Sequence, residues 1–223
     1  MRVVLFGATG MVGAGALLEC LDDPRVSSVL VLGRRACGVA HAKLTEVLVE
    51  DFFHYDALRP RLADADACFF CLGVSSVGMS EEAYTRVTHD LTLAAARALL
   101  DAGARPVFCY VSGAGTDSTE RGRTMWARVK GRTENALLEL PFRAAFMLRP
   151  GFIQPMRGVR SKTALYAAFY AVFGVFYPLL QRLLPNLVTN TVAVGRALIG
   201  VAAVGYPGRI LESRDINLAA AGA

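Results

Sequence analysis

The chain has 223 residues, 54% hydrophobic and 19% charged, with a formal net charge of +5. Such a length fits one domain that buries its own core. The composition excludes a disordered chain, and the mild basic excess suits small anionic ligands without the footprint of a nucleic-acid binder. Taken in chain order, Val3–Phe6 is expected as a strand, Met11–Leu21 as a helix, Val26–Leu32 and Leu44–Val49 as strands, and the apolar run Ala67–Leu72 as a fourth strand. A long helix is expected over Ser80–Leu100, where Tyr84, Val87, Leu91, Ala95 and Leu99 recur on one face. Ser80 ahead of Glu81 and Glu82 has the chemistry of a helix start. Pro106–Val111 follows as a strand, Glu120–Leu138 as a helix, Ala144–Leu148 as a strand and Ile210–Leu211 as a last short one.

Several of these strands are continuously apolar, the pattern of a parallel sheet covered on both faces. Alternation of strand and helix from residue 2 to 149 predicts an α/β, doubly wound Rossmann-type parallel sheet with helices on both faces. Residues 150–208 break the alternation and are expected to form a small, mostly helical C-terminal subregion on the substrate side of the single 1–223 domain.

Phe6-Gly7-Ala8-Thr9-Gly10-Met11-Val12-Gly13 follows the first strand as G-x-x-G-x-x-G. Gly7 permits the tight turn, Gly10 a close backbone approach to a pyrophosphate, and Gly13 close packing of helix on sheet. The following helix aims free N–H groups and the positive end of its dipole at the phosphates. Gly7, Thr9, Gly10, Met11, Val12 and Gly13 are therefore candidate dinucleotide-binding residues. A carboxylate for the ribose 2′-hydroxyl is expected about 20 residues on. Here the second strand ends Gly33-Arg34-Arg35, and two guanidiniums at that tip match a 2′-phosphate. NADP(H) is thus expected over NAD(H). Asp51 and Phe52 end the third strand, where a carboxylate either meets the adenine or simply ends the strand. Cys71-Leu72-Gly73-Val74 ends the fourth and would offer backbone to the cofactor, with Gly73 permitting close approach.

The five cysteines are odd in number and show no paired framework, which points to reduced thiols and a cytoplasmic location. Cys68 and Cys71 form a C-x-x-C inside a strand. Their spacing sends them to opposite faces, so they are expected as buried structural cysteines. Met1–Phe6 is too short an apolar run for a secretory leader. His41, His54 and His89 are scattered, so no metal is assigned. Val111-Ser112-Gly113 lacks the G-x-S-x-G hydrolase elbow.

Thr9-Gly10-Met11-Val12-Gly13, Val111-Ser112-Gly113-Ala114, Val129-Lys130-Gly131 and Arg149-Pro150-Gly151 occur in the order and spacing of the short-chain dehydrogenase/reductases. Over essentially its whole length the chain resembles the atypical, epimerase-like branch, similar to the Tat-interacting oxidoreductase-like group. The resemblance implies a Ser-Tyr-Lys site with Tyr and Lys four apart on one helix face, the lysine lowering the phenol pKa and the phenol exchanging a proton with a substrate carbonyl. By position, Ser112 matches the serine and Lys130 the lysine, the latter also meeting the nicotinamide ribose. Trp126 stands where the tyrosine is expected, and an indole N–H donates without titrating. Three readings stay open. The proton comes from Lys130 or from Ser112 through water; or the chain binds NADP(H) without turnover, as a sensor or interaction protein; or another hydroxyl serves, with Tyr84, Tyr110 and Thr116 as candidates. A core role for Trp126 is an alternative reading, and a nucleotide-sugar epimerase or dehydratase is a further alternative function. The resemblance also places Pro150, Gly151 and Ile153 against the nicotinamide.

Between Lys162 and Arg182 no charge occurs, and Tyr166, Phe169, Tyr170, Phe173, Phe176 and Tyr177 fall on one helical face. This aromatic helix, 163–181, is expected as core or substrate-pocket wall, as a peripheral membrane or dimer contact, or as a marginal span interrupted by Gly174 and Pro178. A pocket wall of that kind would imply a small, apolar substrate.

Overall fold

A computed structural model describes residues 1–159, 182–184 and 186–222. Seven strands form one parallel sheet: β1 Arg2–Phe6, β2 Ser28–Gly33, β3 Leu44–Leu48, β4 Ala67–Phe70, β5 Val107–Val111, β6 Ala144–Arg149 and, at the far edge, β9 Ile210–Glu212. Their order is β3-β2-β1-β4-β5-β6-β9. The chain winds outward from β1 in both directions, so the order reverses beside β1, which is where ligands bind in such sheets. β7 Phe152–Gln154 and β8 Val188–Asn190 pair separately as a two-stranded parallel sheet. The expected α/β doubly wound parallel sheet is present.

Strand parity sorts the core into two layers. On β5, Val107 and Cys109 join one layer with Leu17 of α1 (Met11–Asp22), Val194 and Leu198 of α6 (Thr191–Val204) and Ile216 of α7 (Ser213–Ala221). Phe108 and Tyr110 join the other, with Leu62 of the short α2 (Arg59–Leu62), Leu93 and Leu99 of α4 (Leu91–Asp101) and Leu137 of α5 (Met125–Glu139). Both faces are covered, which is why the strands are apolar without alternation. Cys68 packs into the second layer and Cys71 against the first, the opposite faces expected of that pair.

Two helices differ from expectation. Ser80 does cap the first, its Oγ accepting from the Ala83 N–H at 3.2 Å. However, α3 (Glu81–Thr85) passes through a π-helical turn, Arg86–Asp90, before α4. The expected start at Glu120 fails because Glu120 has φ +60°, and Asp117 folds the preceding loop by accepting from the Gly122 N–H at 2.7 Å and the Thr119 hydroxyl at 2.6 Å. The helix begins at Met125 instead. Of 150–208, expected mostly helical, the described part carries β7 and β8 as well as α6. α6 packs on α1. The aromatic helix 163–181 lies outside the described residues. Among the described residues no helix is long and apolar enough to cross a membrane.

Candidate functional site

The chain leaves β1 through a turn that only glycine accommodates. Gly7 has φ +83°, and a Cβ on it would stand 2.7 Å from the Cys71 carbonyl carbon. The Gly10 N–H closes the turn on the Gly7 carbonyl at 2.9 Å. Gly10 then caps α1 without a side-chain bond, and no acidic residue lies in the first turn. The first N–H groups of a helix have no partners inside it, so this end offers donors and a positive dipole to an anion.

A cleft of about 340 Å³ opens at the C-terminal ends of β1, β2 and β4. Gly7, Thr9, Gly10 and Met11 line it from the turn, Arg34 and Arg35 from the tip of β2, and Phe52, Leu72 and Gly73 from beyond β3 and β4. Both arginines are exposed, and the lining contains no carboxylate. A Cβ on Gly73 would meet nothing within 4 Å, so that glycine is not demanded by the protein's own packing. Cys71 and Val74, the flanks of the expected Cys71–Val74 segment, also line the cleft. Burial pushes the Cys71 thiol up to about 12, so it stays protonated and is a wall rather than a nucleophile.

Several expected residues lie elsewhere. Val12 packs against the first core layer, and Gly13 supports the turn from behind. Asp51 is exposed and folds its own turn, accepting from the Phe53 N–H and the His54 ring nitrogen, both at 2.8 Å. These bonds hold its carboxyl below the usual range. It does not line the cleft, which favours the strand-ending role. The Gly151 N–H goes to Ser213 Oγ at 2.9 Å, the Pro150 carbonyl to the Ala114 N–H at 2.9 Å, and Ile153 pairs with Thr189. Their backbone groups hold the protein together and do not reach the cleft.

Ser112 corrects the sequence expectation most sharply. Continuing the parity of β5, it faces the second layer and is buried. Its hydroxyl donates to Glu134 Oε1 at 2.5 Å, with the Leu148 carbonyl at 3.2 Å. Glu134 is wholly buried and holds Arg149, whose Nε lies 3.1 Å from each carboxylate oxygen and whose Nη2 lies 2.5 Å from Ser118 Oγ. Sequence reasoning missed this pair, although Glu134 falls one turn beyond Lys130 on the same face. The other hydroxyl candidates are also withdrawn. Tyr84 and Tyr110 are buried, which raises their phenol pKa, and the Thr116 hydroxyl donates to the Gly113 carbonyl at 2.7 Å.

Lys130 projects from α5 to the end of β5, its ammonium donating to the Ser112 carbonyl, and neither it nor Trp126 lines the cleft. Burial lowers its pKa to about 8, and Glu134 opposes the shift. Half-buried Trp126 shares its face, the ring edge 3.5 Å from where a Cβ on Gly115 would stand. Gly131 explains the Lys-Gly pair: a Cβ there would lie 1.8 Å from the Asp117 carbonyl oxygen, so glycine lets α5 dock on the loop.

No protein-family model matches the sequence. Curated relatives do. The chain is 31% identical over 177 residues to the mitochondrial protein fmp52 of Emericella nidulans, covering 76% of this chain and 74% of that one. The chain belongs to the Fmp52 family. Fmp52 of Aspergillus fumigatus is 32% identical, covering 70% of this chain and 68% of its own length, and Fmp52 of Eremothecium gossypii is 29% identical over 89% of each. All three are named mitochondrial, and these names overturn the expected cytoplasmic location. Free thiols report a reducing environment, not an address. The branch is likewise Fmp52, where the motifs had pointed to the Tat-interacting group.

Solved structures share the fold at low identity. ADP-L-glycero-D-manno-heptose-6-epimerase of Helicobacter pylori superposes with TM-score 0.63 at 14% identity, covering 96% of this chain and 79% of that one. A short-chain dehydrogenase of Burkholderia cenocepacia, in complex with NADP, gives 0.62 at 15%, covering 94% and 86%. The chain thus shares the Rossmann-type fold of these solved structures.

Proposed function

We propose that this chain binds NADP(H) at the glycine turn and serves as an oxidoreductase on a carbonyl or quinone. The observation that carries this is the pair of exposed guanidiniums, Arg34 and Arg35, in a cleft without a carboxylate. A 2′-phosphate gains charge-assisted bonds there, and a ribose 2′-hydroxyl finds no acidic partner. The glycine turn and the uncapped start of α1 suit the pyrophosphate. When bound, the nicotinamide supplies hydride. The chain's part is to hold a proton nearby, and Lys130, with its pKa lowered to about 8 by burial, is matched to that task near neutral pH.

A second reading, NADP(H) binding without turnover, is favoured by the Ser112 hydroxyl being committed to Glu134 and by an indole in place of a phenol. Isothermal titration calorimetry reads binding directly, wherever the ligand sits. Titration with NADPH and NADH should show NADPH tighter by about tenfold or more. Equal affinities would remove the NADP(H) assignment, and binding of neither would remove the whole reading. Oxidation of NADPH across quinones and aldehydes then separates enzyme from sensor.

A further inference from the structure

We infer that Glu134 is a positioning residue for Lys130: it grips the Ser112 hydroxyl from beneath and so fixes the Ser112 carbonyl on which the Lys130 ammonium rests. Two residues of α5, one turn apart, hold the two ends of a single serine. Lys130 takes the carbonyl and Glu134 the hydroxyl. The serine that matches the family's serine by position is here a strut between the helix and the end of β5.

The strut is braced further. Arg149, at the end of β6, closes both oxygens of Glu134 and reaches Ser118 in the loop before α5. On its other side Arg149 Nη1 lies 3.6 Å from Glu212 of β9. One buried carboxylate therefore ties the ends of β5 and β6, the loop and the helix that carries Trp126 and Lys130. A buried guanidinium–carboxylate pair is a costly way to hold a fold, since apolar side chains of equal volume hold it as well. The use for the charge lies in its neighbour. Among the groups packed round the site, Glu134 on α5 faces Lys130 as an anion, Arg149 of β6 is spent on Glu134, and Glu212 of β9 is turned to Arg149. Glu134 thus opposes the loss of the lysine's proton that burial promotes.

The inference deepens the reading of Lys130 as the proton-holding group, and its test needs neither cofactor nor substrate. A failure of NADPH binding would therefore be seen separately. Lys43, Lys130 and Lys162 are the lysines of the chain, so carbon-13 NMR of lysine-labelled full-length protein resolves the titration of each. In Glu134→Gln, Lys130 should release its proton at a pH lower by about one unit, roughly a tenfold loss of proton affinity. Glu134→Asp should restore most of it. Should Glu134→Gln fail to fold, Glu134→Gln/Arg149→Met removes both buried charges together and should shift Lys130 in the same direction by a smaller amount, because loss of the guanidinium partly offsets loss of the carboxylate. A purely structural role would let water in and move Lys130 upward, towards an ordinary lysine. An upward shift, or none, in the folded variants overturns the inference.

Discussion

A Cβ on Gly13 would stand 2.1 Å from the carbonyl oxygen of Gly7. The third glycine of the motif does not touch the cleft; it lets α1 lie against the turn so that the first and second glycines keep their shape. Gly13→Ala should therefore push the turn open and destabilise the fold by about 1–3 kcal/mol, the usual cost of overpacking. Urea unfolding gives the stability and the NADPH titration gives the consequence for binding. Wild-type values in both would remove the role assigned to this contact.

Arg34 and Arg35 should divide the two cofactors. Arg34→Ala and Arg35→Ala are each expected to weaken NADPH by about 10- to 100-fold, as for a lost charge-assisted bond. NADH, which has no 2′-phosphate, should bind as in the wild type. Loss of both cofactors in parallel would mean that the arginines shape the loop rather than read the phosphate.

Lys130 should leave a signature in the pH dependence of stability. Its folded pKa, about 8, lies below that of an unfolded lysine, about 10.4. Between those values the unfolded chain binds the extra proton, so stability contributed at this position rises with pH. The advantage of Lys130→Met over wild type should shrink from pH 8 to pH 10 in denaturant melts. A constant difference across that window would show that the lysine titrates normally.

Trp126 sits on the face of Lys130, four residues before it, with its ring edge against Gly115. Trp126→Tyr would place a titratable hydroxyl on that face. If a carbonyl substrate reaches the site, NADPH oxidation should rise on the order of 100-fold, a common contribution of a positioned acid. No gain with any carbonyl, in a variant that still binds NADPH, would favour the non-catalytic reading.

The arrangement of the main sheet and the glycine turn was legible in the chain itself. Periodicity, uninterrupted apolar strands and three spaced glycines are local signals, and each needs only its own neighbours to act. The arginines at the tip of β2 were legible for the same reason, since a fixed number of residues separates them from the turn. What the tertiary structure alone decided is where side chains at strand ends point and what meets them. Ser112 matched a motif in order and spacing, yet its direction depends on the parity of β5 and on the docking of α5, which brings Glu134 beneath it across 22 residues of sequence. Gly151 and Asp51 likewise matched by position but were claimed by Ser213 and His54. A hydrogen-bonding group buried in a fold takes the nearest competent partner, and which partner is nearest is a property of packing that no local spacing carries.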